Sequence, residues 1–158
     1  LNKRPEWDEY FLKIAMLVAE RSTCERHHVG AVIVKDKRLL TTGYNGACRG
    51  GQDCLELGCL RNARNIPSGE RHEICRAIHS EQNAIIQAGL HGVSIDGATI
   101  YCTITPCMIC AKMIVNSKIV RYVSYGTYSD KEAIAFIRGA GVRLDIFDRP
   151  NNVISYLD

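Results

Sequence analysis

Two short segments of this chain combine residue types that bind metals and move protons. TPCMICA, Thr105 to Ala111, sets Cys107 and Cys110 three residues apart directly after Pro106. At the first turn of a helix that spacing brings two sulfurs near one point, where unpaired amide hydrogens and the helix dipole favour thiolates. Taken alone, C-x-x-C admits two chemistries, zinc binding and thiol redox exchange. HSEQNA, His79 to Ala84, tips the balance to zinc. It reads as a second helix start, and His79 offers a third ligand. Three protein ligands leave a fourth zinc position open for water, whose pKa then falls to about 7. Glu81, two residues beyond His79, is placed to take a proton from that water without coordinating, as a general acid and base. A core histidine beside a solvated glutamate is the plainer account of either residue alone. It does not account for the two together with P-C-x-x-C.

These segments need a frame that brings their helix starts together. From Pro5 to about Thr23 the apolar residues Tyr10, Phe11, Ile14, Met16, Leu17 and Val18 recur at helical spacing, with Pro5 suited to a first turn. Val29 to Val34 and Leu39 to Tyr44 read as two strands of a hairpin. From Asn45 to Cys75 the periodicity fails, and so long a structureless stretch inside a small domain calls for a cross-link. Beyond it the pattern predicts helix at Ala77 to Ala88, strand at Thr99 to Thr103, helix at Pro106 to Asn116 and strand at Ile119 to Tyr125. A helix at Lys131 to Arg138 and a strand at Val142 to Phe147 complete it. This order predicts a three-layer α/β/α fold on a five-stranded mixed sheet, an antiparallel hairpin followed by parallel pairs. Parallel strands feeding the two helices would deliver His79, Cys107 and Cys110 to one sheet edge.

The 158 residues suit one domain over 1–158, with a Cys-rich insertion at about 45–75. Apolar residues at 46% and charged residues at 23% exclude a disordered or collagen-like chain. The net charge of +3 is spread without a basic run, which argues against nucleic acid and membrane surfaces as partners and allows small anionic ligands. No apolar stretch of about 18 residues and no signal-peptide pattern is present, so a cytoplasmic protein is expected. In that setting the eight cysteines are metal ligands or free thiols rather than a disulfide scaffold.

H-x-E followed by P-C-x-x-C is the signature of zinc-dependent base deaminases. His79-Ser80-Glu81 and Pro106-Cys107-Met108-Ile109-Cys110 resemble the cytidine and deoxycytidylate deaminase superfamily, with Ser80 where alanine or valine is more usual. Val29-Gly-Ala-Val-Ile-Val34 and Gly43-Tyr44-Asn45-Gly46 narrow the resemblance to its deoxycytidylate branch, over roughly Pro5 to Phe147. The resemblance implies a cytidine deaminase-like fold, hydrolysis of dCMP to dUMP and ammonia for thymidylate synthesis, and a homohexamer. It also implies activation by dCTP with Mg2+ and inhibition by dTTP. By the same resemblance Asn45 contacts the substrate sugar, and Gly43, Tyr44, Asn45 and Gly46 border the effector nucleotide. By itself the tetrapeptide reads as a plain turn with left-handed-tolerant glycine and a versatile amide. Arg26, His28 and Tyr128 are the candidates for a 5′-phosphate, which calls for charge-assisted donors.

His72 lies three residues before Cys75, a ligand-like spacing. A closed structural zinc site of Cys24, Cys54, His72 and Cys75 would supply the cross-link the aperiodic segment lacks, with Cys59 competing for the place of Cys75. Free or buried thiols are the alternative. Cys102, inside an apolar strand, belongs to the core, and Cys48 has no assignment. Two rival functions share these motifs: a zinc deaminase of another cytosine or purine substrate (nucleoside, base or transfer RNA), and a non-catalytic zinc-stabilised interaction domain. The aromatic content of 7% does not advertise the stacking surface of a polynucleotide editor. An interaction domain leaves Glu81 and the open zinc position without a purpose.

Overall fold

The structure, a computed structural model, describes residues 4–127 and 130–148. Helix α1, Trp7–Ala19, turns Phe11, Leu12, Ala15 and Ala19 inward, the stripe that helical spacing produces. Strands β1, Gly30–Lys35, and β2, Arg38–Tyr44, follow. They are joined through Asp36 and Lys37 at φ of 50° and 59°, the positive values a two-residue hairpin turn demands. The Asn45 to Cys75 segment holds strand β3 (Gly46–Ala47), helices α2 (Cys54–Leu57) and α3 (Leu60–Ala63), and a 3-10 turn at His72–Ile74. Strand β4 (Ala77–Ile78) pairs with β3 in a separate antiparallel ribbon. Helix α4 (Ser80–His91), β5 (Thr99–Cys102), α5 (Met108–Asn116), β6 (Arg121–Tyr125), α6 (Lys131–Gly139) and β7 (Arg143–Phe147) complete the described chain.

The main sheet has the order β2-β1-β5-β6-β7. β1 runs antiparallel to β2 and to β5, while β5, β6 and β7 are parallel. This is the mixed five-stranded sheet that the element order predicts. Alternate residues of each strand feed two cores. On one face Phe11, Leu12 and Ala15 of α1 meet Val32, Val34, Tyr101 and Val123. On the other, Ala84, Ala88, Ile114 and Ile137 of α4, α5 and α6 meet Ile33, Ile100 and Tyr122. Covered on both faces, β1 is buried from Gly30 to Val34, which explains why its sequence shows no alternation. Arg121 of β6 fixes α1 on the sheet: it donates to both carboxylate oxygens of Asp8 at 2.8 Å and to Asp145 of β7 at 2.7 Å. Among the described residues no helix is long and apolar enough to cross a membrane.

Two local expectations are corrected. Ala77 and Ile78 are extended rather than helical, and α4 begins only at Ser80, with His79 as its N-cap. α4 therefore does not follow a strand of the main sheet. It precedes β5, and α5 follows β5, so the two helices start beyond the same end of that strand without a parallel pair feeding both. The GYNG segment is not a left-handed turn either: Gly43 and Tyr44 end β2, Gly46 begins β3, and neither glycine has a positive φ. Gly43 matters for closeness, since a Cβ there would lie 2.2 Å from the Ser80 carbonyl oxygen and 2.5 Å from the Ala84 nitrogen.

Candidate active site

Both ligand-bearing segments sit at helix starts. His79 caps α4, its N–H donating to Gln82 Oε1 at 2.8 Å. Cys107 caps α5, and Cys110 lies in its first turn. The start of α5 is itself held by Asp130, whose Oδ2 accepts from Met108 N at 3.0 Å while Oδ1 caps α6 through Ala133 N at 2.9 Å. His79 Nδ1 lies 3.4 Å from Cys107 Sγ and 3.4 Å from Cys110 Sγ. Zinc bonds of about 2.0 Å to nitrogen and 2.3 Å to sulfur, at a tetrahedral angle, separate their donors by about 3.5 Å. The donor types and their spacing fit that ion.

The electrostatics favour a cation as well. The Cys110 thiol donating to Cys107, helped by His72 and His79, holds Cys107 far below the ordinary thiol range despite burial. That thiolate and burial push Cys110 far up. A divalent cation between the sulfurs relieves the opposition by favouring both thiolates. Burial resists a charge on His79, but Cys107 and Glu81 outweigh it and raise its pKa.

Glu81 is 4% exposed. Burial raises its pKa above the usual carboxylate value, the direction needed for a group that must both take and give a proton near neutrality. Ser80 Oγ donates to Oε2 at 3.0 Å, and the Tyr122 hydroxyl lies 3.2 Å from Oε1 while donating to the Ile104 carbonyl at 2.7 Å. Cys102 is fully buried in β5, and burial pushes its thiol up to about 12. It serves the core, with Ser80 Oγ 3.6 Å from its sulfur.

The cavity over this group is lined by Arg26, His27, Asn45, Arg61, His79 and Glu81, among others. Asn45 is 7% exposed and largely committed to the backbone. Its Oδ1 accepts from Val29 N at 2.9 Å and from Ser22 Oγ at 2.5 Å, and Nδ2 donates to the His27 carbonyl at 2.7 Å. One amide hydrogen remains for a ligand. Arg26 lines the cavity as a phosphate contact would, whereas at the next positions it is His27 rather than His28 that does so. Tyr128 lies outside the described residues. Tyr44 and Gly46 line a second groove, between β2 and α4, with Arg49, Asn83, Gln87 and His91.

The structure divides the expected second ligand set. His72 stands edge-on to His79, ring centroids 4.9 Å apart, and offers a nitrogen within 4.8 Å of the ligand atoms of His79 and Cys107. The thiols of Cys24, Cys59 and Cys75 are near enough to Cys54 to act on its charge. Burial first, and then the charges of these three, push Cys54 up to about 11. Cys24 Sγ also accepts from Arg26 N at 3.4 Å, and Cys48 is exposed. Sequence reasoning missed Arg61, His27, Tyr122 and Asp130. The last carries a readable signal, an aspartate directly before a predicted helix.

Comparison with known proteins follows the same lines. The family model for the cytidine and deoxycytidylate deaminase zinc-binding region matches residues 5–127. A deoxycytidylate deaminase of Schizosaccharomyces pombe is 37% identical over 152 residues, covering 96% of this chain and 47% of that protein. The deoxycytidylate deaminase of Mycobacterium phage D29 is 43% identical over 125 residues, covering 76% of this chain and 94% of its own. The dCMP deaminase of cyanophage S-TIM5, solved with dCMP and dUMP, superimposes with a TM-score of 0.78 at 28% identity, over 92% of this chain and all of that one. The chain spans about half the length of the two yeast relatives it matches.

Proposed function

The chain belongs to the cytidine and deoxycytidylate deaminase family, and on that premise we propose that it hydrolyses dCMP to dUMP and ammonia, supplying dUMP for thymidylate synthesis. One observation carries the reading: His79 Nδ1 stands 3.4 Å from both cysteine sulfurs, with the buried carboxyl of Glu81 two residues away. His79, Cys107 and Cys110 would hold the catalytic zinc. Zinc, when bound, supplies Lewis-acid activation of the attacking water.

Glu81 would accept a proton from the attacking water and deliver it to N3 of the cytosine ring as the water oxygen bonds to C4. It then carries the second water proton to the amino group at C4. The C4–N bond breaks, ammonia departs, and the water oxygen remains as the carbonyl of dUMP. Ser80 and Tyr122 aim the two carboxyl oxygens. The spare amide hydrogen of Asn45 serves the sugar, and Arg26, which lines the cavity, the 5′-phosphate. The dCMP and dUMP held by the cyanophage enzyme support this substrate.

The same reading covers the finer features. The chain acts as one deaminase domain over 1–158 in a cytoplasmic homohexamer, activated by dCTP with Mg2+ and inhibited by dTTP. The groove beside Tyr44 and Gly46, with Arg49 at its rim, supports an effector site there. A second, structural zinc anchors the insertion, and the sulfurs around Cys54 support Cys24, Cys54, Cys59 and Cys75 as its ligands. The decisive test mixes purified protein with dCMP, CMP, deoxycytidine or cytosine and follows ammonia release. Preference for dCMP is expected; no turnover of dCMP, with or without dCTP and Mg2+, removes the proposal.

A further inference from the structure

Among the described residues, two arginines in the cavity lined by His79 and Glu81 have no carboxylate counter-ion. Arg61, in the short helix α3 of the Cys-rich insertion, is 7% exposed. Arg26 reaches the same cavity from the segment after α1. Consecutive carbonyls hold the two guanidiniums: Arg26 Nη2 donates to Ile66 O at 2.9 Å and Arg61 Nη2 to Pro67 O at 3.2 Å. Each keeps a buried nitrogen with no hydrogen-bond partner among the described residues, Nη1 of Arg26 and Nε of Arg61. Among the described residues neither forms an ion pair with a carboxylate.

Such an arrangement is unfavourable in isolation. Buried donors left unmade cost free energy, and buried charges are ordinarily paired. Two like charges anchored on neighbouring carbonyls add mutual repulsion, felt also at His27, whose pKa is lowered first by burial and then by Arg26 and Arg61. An anion shared by the two guanidiniums removes each of these costs. Forked donors match the oxygens of a phosphate. The cavity also contains His79, Glu81 and Asn45, so the anion belongs to a molecule whose other end reaches the proton-transfer group.

We infer that Arg61, with Arg26, clamps the 5′-phosphate and makes the site select a nucleoside monophosphate over the free nucleoside. This rests on the deaminase reading above and adds to it a specificity residue from the insertion. Arg61 lies two residues after Cys59, so the group of cysteines that gathers the insertion also places the clamp.

The test compares wild type, Arg61→Gln and Arg61→Lys for kcat/KM on dCMP and on deoxycytidine, with calorimetric titration of dUMP and deoxyuridine. Truncating one partner of a buried charged contact should lower the dCMP-to-deoxycytidine ratio about 100-fold in Arg61→Gln. dUMP affinity should fall in parallel and deoxyuridine affinity should not, and Arg61→Lys should lie between. An unchanged ratio, or an equal fall for both substrates, overturns the clamp while leaving the deaminase reading intact. A wild-type protein inert on dCMP overturns both. A crystal of the wild type with dUMP decides independently of any variant's folding: a phosphate within hydrogen-bond reach of the Arg61 guanidinium supports the inference, and a phosphate elsewhere ends it.

Discussion

Gly43 presses strand β2 onto the first turn of α4 so closely that a Cβ on it would lie 2.2 Å from the Ser80 carbonyl oxygen. That turn carries His79 at the cap and Glu81 just inside, so a side chain at position 43 acts on the chemistry through backbone. Gly43→Ala should lower stability by about 1–3 kcal/mol, the usual cost of overpacking. It should also lower kcat about 100-fold, because misplacing a reacting group by an ångström has that scale. Urea unfolding and steady-state kinetics measure both. A variant with wild-type kcat would show that the turn absorbs the shift.

Glu81→Gln keeps the shape of the side chain and removes its capacity to carry a proton. Turnover should drop about 100- to 10,000-fold, the range general acid–base groups contribute. Zinc content by elemental analysis should stay at the wild-type level, since the carboxyl is not counted among the ligands. Retained activity would assign the proton transfer to another group.

Tyr122 shows how far the local motifs reach and where they stop. His79, Glu81, Cys107 and Cys110 are legible because each lies within a short segment that also marks a helix start, so residue type and placement travel together. Tyr122 sits in a strand that reads as plain core, and nothing beside it in sequence announces that its hydroxyl reaches Glu81 Oε1. Arg61 is harder still. In CLRNAR it is indistinguishable from Arg64, yet one is buried in the cavity and the other is exposed. Only the fold of the insertion separates them, and α2, α3 and β3 are too short to show any period. The five-stranded sheet is legible because its strands are apolar runs between helices of ordinary length. The direction of α4 is not, because the two-residue β4 before it leaves no strand signal.

The Tyr122 hydroxyl donates to the Ile104 carbonyl at 2.7 Å and touches Glu81. Tyr122→Phe removes the one hydrogen that serves the Ile104 carbonyl in a buried site, which should cost about 1–3 kcal/mol of stability. If the hydroxyl also aims Glu81, kcat should fall while the KM for dCMP changes little. A loss of stability with unchanged kcat would confine Tyr122 to the core.

Asp8 offers a prediction about pH. The Arg121 hydrogen bonds hold its carboxyl below the ordinary value, against burial and with help from Tyr101. A carboxylate whose folded pKa is depressed contributes stability above the unfolded value of about 3.9 and loses it as pH falls through the folded value. At pH 7 Asp8→Asn should therefore be less stable than wild type by about 1–2 kcal/mol, given partial exposure of the pair. Below about pH 4 the gap should begin to narrow, and it closes only as pH falls through the lowered folded value of Asp8, where both proteins carry an uncharged group. Comparing the two at each pH cancels losses common to both, including protonation of the zinc ligands. A gap constant from pH 7 to pH 3 would sink this account.

Zinc stoichiometry separates the two cysteine groups. Burial, and then the charges of Cys24, Cys59 and Cys75, raise the Cys54 thiol, whereas His72 packs against His79. Three buried thiols, Cys24, Cys54 and Cys59, and the half-buried Cys75 become four favourable ligands once a divalent cation joins them, and the bound ion then contributes to folding. Gently purified wild type should therefore carry two zinc ions per chain. Cys59→Ser should carry one and lose thermal stability, with the catalytic ion retained at first. His72→Gln should keep both ions, because four sulfurs close the structural site without it. One ion in the wild type would mean that these cysteines are thiols of the core. A His72→Gln protein that loses the structural ion would return that histidine to the ligand set with Cys24, Cys54 and Cys75.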